Sequence, residues 1–342
     1  MTQARSVVYR RGGGPEVLEV VERPVPEPGP GEVRVRITRS GVNPTDWKSR
    51  QRDSGGPVDP PQVPGQDGAG VVDAVGPGVE AALHGLRVWV WEAAYQRPHG
   101  TAQEYALVPA RQVALLPDVA SDDLGAALGI PFLTAHRCLT VTEGGPERLG
   151  PGALSGRTVL VAGGAGAVGN AAIQLARWAD ATVITTVSSP RKALLAAAAG
   201  ADEVVNYREQ DVAHEVRKVA PHGVDTIVEV SPSRNAAIDA EVLARHGSVA
   251  MYANDGGDEV ALPVRKLMGP NARWQFVLVY TMPGGAKERA VQDVSGAVYE
   301  AAVRVGEEAG LPVHHYPLER AADAHRAVQD GVIGKVLIDV RD

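Results

Sequence analysis

The sequence predicts an α/β protein: a mostly β domain followed by a doubly wound parallel sheet. Three observations predict it. Short β runs between Gly/Pro turns fill residues 7–116, and strands then alternate with helical patterns from about 130 to 283. At the head of the alternating region, Gly164, Gly166 and Gly169 form a G-x-G-x-x-G loop between a strand and a helix.

The first region contains "EVLEVVERPVPEPGPGEVRVRITRSGV", "QDGAGVVDAVGPGV", "LRVWVWEA" and "TAQEYALVPA". Such a density of turns with β-branched runs reads as an irregular antiparallel domain or partial barrel. Proline and glycine thin out after "LLPD", and helical patterning begins at Ser121. The stretch "TEGGPERLGPGALSG" (142–156) is a Gly-rich connection expected to loop over the surface.

Thr158 to Val161 is a short aliphatic and β-branched run, the mark of a buried strand. The glycines follow, then the apolar helical pattern Ala171, Ile173, Leu175, Ala176, Trp178. In such a loop the first glycine permits the tight turn and the second lets a pyrophosphate approach the backbone. The third lets helix and strand pack closely. Ala167 and Val168 open the helix, where free N–H groups would hold phosphate charge. A second strand, Ala181 to Val187, completes strand–turn–helix–strand, so the expected ligand is a dinucleotide.

The type of dinucleotide is read from the end of that second strand. An NAD site ordinarily places Asp or Glu there, on the ribose 2′-hydroxyl. The chain has Ser188 and Ser189 instead, with Arg191 and Lys192 just beyond. Hydroxyls and cations suit a 2′-phosphate, which favours NADPH. Ser189-Pro190 is also an ordinary helix start, and "SPRKALLAAAAG" reads as a helix from Pro190 stopping at Gly200. The later strands are "EVVNY" (203–207), "GVDTIVEVS" (223–231), "HGSVAMYA" (246–253) and "RWQFVLVYTM" (273–282). Two further helical stretches and a last strand, "KVLIDV", close the chain.

Composition narrows the class. With 44% hydrophobic and 22% charged residues among 342, the chain reads as globular rather than disordered. A net charge of −7 argues against a general nucleic-acid binder. The N-terminus lacks a signal-peptide core, and no apolar run approaches membrane-spanning length. Cys138, the only cysteine, can form no intramolecular disulfide and excludes a cysteine-based zinc site. Its apolar surroundings, "PFLTAHRCLTV", suit a buried small hydrophobe. A cytoplasmic protein with no membrane or nucleic-acid partner is expected.

The order of these parts resembles the medium-chain dehydrogenase/reductase superfamily, specifically the zinc-free, zeta-crystallin-like quinone oxidoreductases. The matching pieces include "PGPGEVRVRITRSGVNPTDWKSR", "VPGQDGAGVVDAVGPGV", "VLVAGGAGAVGNAAIQLAR", "AGADEVVNYRE" and "YPLERAADAHRAVQDGVIGKVLI". The resemblance implies a GroES-like catalytic domain at 1–128, completed by 284–342, and a Rossmann NADPH-binding domain at 129–283. It implies Lys192 and Tyr207 at the adenosine 2′-phosphate, though either has an ordinary structural use. It also implies Asn43 beside the nicotinamide and substrate carbonyl, although a loop Asn also forms turns. Thr134 would lie beside the nicotinamide, and backbone groups near Tyr252 and Val277 would approach the carboxamide. Lys335 would stand at the phosphate end. His136 replaces the family's usual tyrosine and, with Asn43 and Thr134, completes the catalytic candidates. Asn254-Asp255 departs from the family's glycine after the aromatic.

Zinc-dependent relatives carry Cys where this chain reads "SGVNPTD", and Gly-His-Glu where it has Gly65-Gln66-Asp67. No metal is therefore expected. Without a Lewis acid, hydride delivery suits an acceptor activated by conjugation, a quinone or an α,β-unsaturated carbonyl. Its cleft would be bordered by Asn43, Thr134, Tyr252, His136 and Tyr280. Two alternatives stand beside this reading: an enoyl-thioester reductase, with "KSRQR" (48–52) as a basic patch, and a non-catalytic NADPH-binding protein. The run 273–282 is expected as an edge strand that pairs two copies into a homodimer.

Overall fold

The computed structural model describes residues 2–52 and 55–341. It divides into two compact units, Met1–Ile130 with Val313–Asp342, and Pro131–Pro312.

The first unit begins with β1 (Gln3–Arg11), β2 (Glu19–Pro24) and β3 (Glu32–Val42). Along β3, Val33, Val35 and Ile37 are fully buried between outward arginines, the period of two that makes one face of a sheet apolar. Helix α1 (Pro44–Arg52) follows, then β4 (Pro57–Gln62), β5 (Asp67–Val75), β6 (Arg87–Val90), β7 (Tyr105–Pro109) and β8 (Val113–Leu115). Strands β2-β1-β4 form a small sheet, while β3 pairs with both β5 and β7 in a larger one. Helix α2 (Asp122–Leu139) starts where Leu124 N–H donates to Ser121 Oγ, and it contains Pro131, the first residue of the second unit.

The second unit alternates as expected: β9 (Thr158–Ala162), α3 (Ala167–Trp178), β10 (Thr182–Val187), α4 (Pro190–Ala198), β11 (Glu203–Asn206) and α5 (Val212–Val219) form one half. The other half is β12 (Val224–Glu229), α6 (Pro232–Val242), β13 (Leu243–Met251), α7 (Val264–Met268), β14 (Arg273–Phe276) and α8 (Gly284–Tyr299). All six strands are parallel, in the order β11-β10-β9-β12-β13-β14. The order in which strands are added reverses between β9 and β12, although the two run parallel, so their carboxyl ends open the crevice where dinucleotides bind in doubly wound sheets. The chain then returns to the first unit through β15 (Val313–Pro317), α9 (Ala321–Gln329) and β16 (Lys335–Asp339), which lies antiparallel to β3.

Two sequence expectations change. The strand expected over 273–282 ends at Phe276, because its partner β13 ends at Met251 and the Val277 N–H makes the last bond, to Met251 O. Residues 279–281 form a 3-10 turn instead. The stretch 284–312 belongs to the second unit rather than the first: Asp293 on α8 bonds His136 and Arg148, and Glu300 accepts from Trp178 Nε1. The connection 142–156 loops over the surface as expected and is anchored there, since Leu149 and Leu154 are buried and the Leu149 N–H donates to Asp293. Among the described residues no helix is long and apolar enough to cross a membrane.

Candidate active site

The glycine loop in the second unit behaves as its spacing implies. A Cβ on Gly164 would lie 2.2 Å from Thr185 Oγ1, and one on Gly169 would lie 2.3 Å from Gly163 O. Both positions are closed by the protein's own packing. A Cβ on Gly166 would meet only Gly163 O, at 3.4 Å, so this face of the loop is open. Gly166 precedes α3 in an extended conformation, with no side chain capping the helix. The N–H groups of Ala167 and Val168 therefore start a helix whose anchor must come from outside. A pyrophosphate fits this cradle.

At the end of β10, Lys192 Nζ donates to Ser188 Oγ at 3.1 Å, and Ser189 Oγ caps α4 by accepting from the Lys192 N–H. Tyr207 follows β11, and its N–H donates to Val187 O, which sets it beside the serines; its side chain is half exposed. Thus Ser188 and Lys192 are joined at the end of β10, and the Tyr207 main chain lies next to them at the end of β11. Arg191 turns away into a surface ion pair with Glu307.

Beyond the ends of β13 and β14 lies a cleft of about 500 Å³, lined in part by Tyr252, Asn254, Phe276, Val277 and Thr281. The N–H groups of Tyr252 and Val277 are already given to Glu229 O and Met251 O. These residues can therefore offer a ligand their carbonyl oxygens. Asn254 is held by Asp258 through its side-chain amide.

Thr134 and His136 both lie buried on α2. Residues two apart point to roughly opposite sides of a helix, so they cannot face one ligand. His136 is the one turned inward. Its Nε2 lies 2.8 Å from Asp293 Oδ2, and Asp293 also accepts from Arg148 and the Leu149 N–H. Burial holds the imidazole below its ordinary pKa against the pull of Asp293, so Nε2 donates from a neutral ring. Burial works to raise Asp293, but the bonds from His136, Arg148 and Leu149 outweigh it and hold the carboxyl below its usual range. His136 is an anchor between α2, α8 and the 142–156 connection, and its place among the catalytic candidates is withdrawn.

In the first unit Asn43 directly precedes α1, where an Asn would ordinarily turn onto the helix N–H groups. Here the Asp46 N–H bonds the Asn43 main-chain oxygen, and the Asp46 carboxylate reaches back to accept from the Asn43 and Gly65 N–H groups. The Asn43 side-chain amide is turned away from the helix. Its Nδ2 donates to Asp67 Oδ2 at 2.7 Å, and its Oδ1 accepts from Lys335 Nζ at 2.8 Å. Lys335 is only 2% exposed and stands 3.6 Å from Asp67. This corrects its expected place at the phosphate end: the ammonium is enclosed with Asn43 and Asp67. Burial pushes Asp67 up and Lys335 down, and their mutual attraction opposes both shifts. Burial likewise lifts Asp46, to about 7.

Sequence reasoning found Asn43 but missed what Asp67, Asp46 and Lys335 do there. The residues are 292 positions apart at their widest, and no local spacing signals such a cluster. One trace lies in the sequence: Gly129 and Pro131 are poor helix formers inside α2, and a Cβ on Gly129 would lie 2.0 Å from Asp67 Oδ1. The basic run 48–52 is also less than it looked, because Arg50 is fully buried with Nη1 on Gly13 O. Among the described residues no group of three His, Cys, Asp or Glu side chains is placed to hold a metal ion.

A doubly wound sheet with an open glycine cradle, joined to a separate β unit, defines a two-domain oxidoreductase that works with a nicotinamide cofactor. Residues 29–118 match the alcohol dehydrogenase GroES-like domain family, and residues 167–295 match the zinc-binding dehydrogenase family. The chain is 32% identical to human (Homo sapiens) quinone oxidoreductase, over 98% of this chain and 97% of that protein. Among solved structures, an Escherichia coli quinone oxidoreductase complexed with NADPH is 25% identical with a TM-score of 0.79, over 98% of this chain and 99% of that one. An NAD-dependent alcohol dehydrogenase is 33% identical with a TM-score of 0.84, over 98% and 100%. The chain belongs to the zeta-crystallin-like quinone oxidoreductases of the medium-chain dehydrogenase/reductase superfamily and is an enzyme of that kind.

Proposed function

We propose that the protein is an NADPH-dependent, zinc-independent reductase that passes hydride to quinones or activated α,β-unsaturated carbonyls. The observation that carries the cofactor assignment is the end of β10, which bears no carboxylate and joins Lys192 to Ser188 beside Tyr207. A fixed cation and hydroxyls suit a 2′-phosphate, and nothing there grips a free ribose 2′-hydroxyl as a carboxylate would. The similarity to both an NADPH-bound and an NAD-dependent protein makes this choice the first thing to measure.

When bound, the reduced nicotinamide supplies the hydride. The chain's own residues bind and orient. Ala167 and Val168 offer N–H groups to the pyrophosphate, and the Tyr252 and Val277 carbonyls accept from the carboxamide. Thr134 borders the ring. Asn43 donates an N–H to the substrate oxygen as it gains charge, an interaction that strengthens toward the transition state. Asp67 stands where zinc-dependent relatives have a glutamate, and it is spent on Asn43, the Ile130 N–H and Lys335. That donor set supplies an ammonium rather than an invitation to a divalent ion.

The test is steady-state turnover with a quinone, a cyclic enone, an enoyl thioester and an alcohol, alongside direct binding of NADPH and NADH. Reduction of quinone or enone with NADPH is expected. Activity with the thioester alone would replace this reading with the enoyl-reductase one, and NADPH binding without any turnover would leave a binding protein. We further propose a homodimer across the β14 edge, where Phe276 is 74% and Leu278 56% exposed.

A further inference from the structure

We propose that Lys335 and Asp67 are positioning residues for Asn43: they hold its amide in one of its two orientations and leave one N–H for the reacting oxygen. The inference rests on the proposed role of Asn43 and assigns that role its machinery. An ammonium can only donate and a carboxylate can only accept. The amide oxygen must therefore face Lys335 and the amide nitrogen must face Asp67. The flipped amide would set N–H against ammonium and carbonyl against carboxylate, replacing two attractive contacts by two repulsive ones. Out of bulk water, both preferences are strong.

The three residues are themselves held. Asp67 Oδ1 accepts from the Ile130 N–H at 2.8 Å, in space left by the missing side chain of Gly129. The Lys335 stem passes Gly41, where a Cβ would lie 3.1 Å from Lys335 Cε. The Asp46 N–H of α1 bonds the Asn43 main-chain oxygen, and the Asn43 side-chain amide is given to Asp67 and Lys335 instead. One amide N–H remains after Asp67 is satisfied. Donation from Lys335 to the amide oxygen polarises the group and makes that N–H a better donor.

The experiment measures NADPH-dependent reduction of 1,4-naphthoquinone by wild type, Asn43→Ala, Lys335→Met, Asp67→Asn and the Asn43→Ala/Lys335→Met double variant. Side-chain amide NMR of [15N]Asn-labelled, cofactor-free protein accompanies it. Lys335→Met and Asp67→Asn should each lower kcat about tenfold, less than loss of a donor itself, with NADPH Kd within about twofold. Lys335→Met should add nothing once Asn43 is Ala, and the Asn43 amide resonances should move or broaden in Lys335→Met. A wild-type kcat for Lys335→Met, with Asn43→Ala impaired, overturns the inference and leaves the role of Asn43 standing. An unimpaired Asn43→Ala sinks that role instead, and the amide spectra then decide whether the pair sets the orientation. Should a single variant fail to fold because a charge is left unpaired, Asp67→Asn/Lys335→Met removes both. A wild-type kcat in that neutral pair refutes the proposal.

Discussion

Alanine at Gly166 and alanine at Gly169 should fail in opposite ways, although the two sites are three residues apart in one loop. At Gly169 the new Cβ would sit 2.3 Å from Gly163 O, roughly an ångström inside normal contact with backbone that cannot rotate away. Overpacking of that kind costs about 1–3 kcal/mol. For a unit of this size each kcal/mol lowers Tm by about 2–4 °C. At Gly166 the backbone is extended and the only neighbour is 3.4 Å away, so the apo fold should lose little, about 1 kcal/mol or less for a poorer cap. The same methyl would stand on the open face of the cradle and keep a pyrophosphate off the helix N–H groups. Gly166→Ala should therefore melt near wild type and bind NADPH at least about tenfold more weakly. Gly169→Ala should melt several degrees lower. Differential scanning fluorimetry and fluorescence titration separate the two. If Gly166→Ala binds NADPH as wild type does, the loop is not the phosphate cradle.

Lys192→Ala should weaken NADPH by about 1.5–3 kcal/mol, the range for a charge-assisted bond, and leave NADH nearly unchanged; isothermal titration of both cofactors checks it, and equal losses would refute the 2′-phosphate assignment. Phe276→Asp should convert a dimer to monomer in light scattering without lowering Tm, because the side chain is exposed on the β14 edge; an already monomeric wild type would remove the dimer proposal. Proline at Val277 is a poor probe of that edge, since its N–H is bonded inward to Met251. His136→Ala should cost stability, about 1.5–3 kcal/mol for a lost hydrogen bond to the Asp293 carboxylate, which keeps Arg148 and the Leu149 N–H, while kcat of the folded fraction stays near wild type; a selective kcat loss would return His136 to the site.

What the sequence made legible follows from the range of the interactions. The cradle and the β10 edge are built within one strand–turn–helix–strand segment, so glycine spacing and the missing carboxylate can be read directly. The six strands of the second unit announced themselves by alternation. The end of β14 did not, because its length is set by where β13 stops, and no pattern within "RWQFVLVYTM" records that. His136 was misread for a similar reason: its role is fixed by Asp293, 157 residues away. The same holds for the boundary at Pro312, since α8 carries an ordinary amphipathic pattern that does not state which unit it covers. The resemblance puts Lys335 at the phosphate end, and nothing in "GKVLIDV" itself says where the ammonium points. Only the assembled sheet, with β16 laid against β3, shows that its ammonium ends inside.

The polar cluster that resisted sequence reading also makes a prediction about pH. Two buried carboxylates, Asp46 and Asp67, share one ammonium, and Asp67 stands in direct contact with Lys335 and Asn43. Asp46 is held by two N–H groups, with burial as the dominant influence and Asp67 adding repulsion, so its carboxyl rises from 3.8 to about 7. A carboxyl raised in the folded state keeps its proton there after the unfolded chain has lost it. Its contribution to stability is therefore complete below about pH 4 and lost as pH rises through about 7. Across that window the loss is on the order of 4 kcal/mol. Asp46→Asn cannot ionise. It replaces one acceptor by a donor and so carries a fixed cost at every pH, but the sloping part disappears. The expected signature is a gap between the melting curves of wild type and Asp46→Asn that favours wild type at pH 5 and narrows or reverses by pH 8. Parallel pH profiles would show that Asp46 is already ionised near pH 4 and that the Asn43 end of α1 is far better solvated than its burial implies.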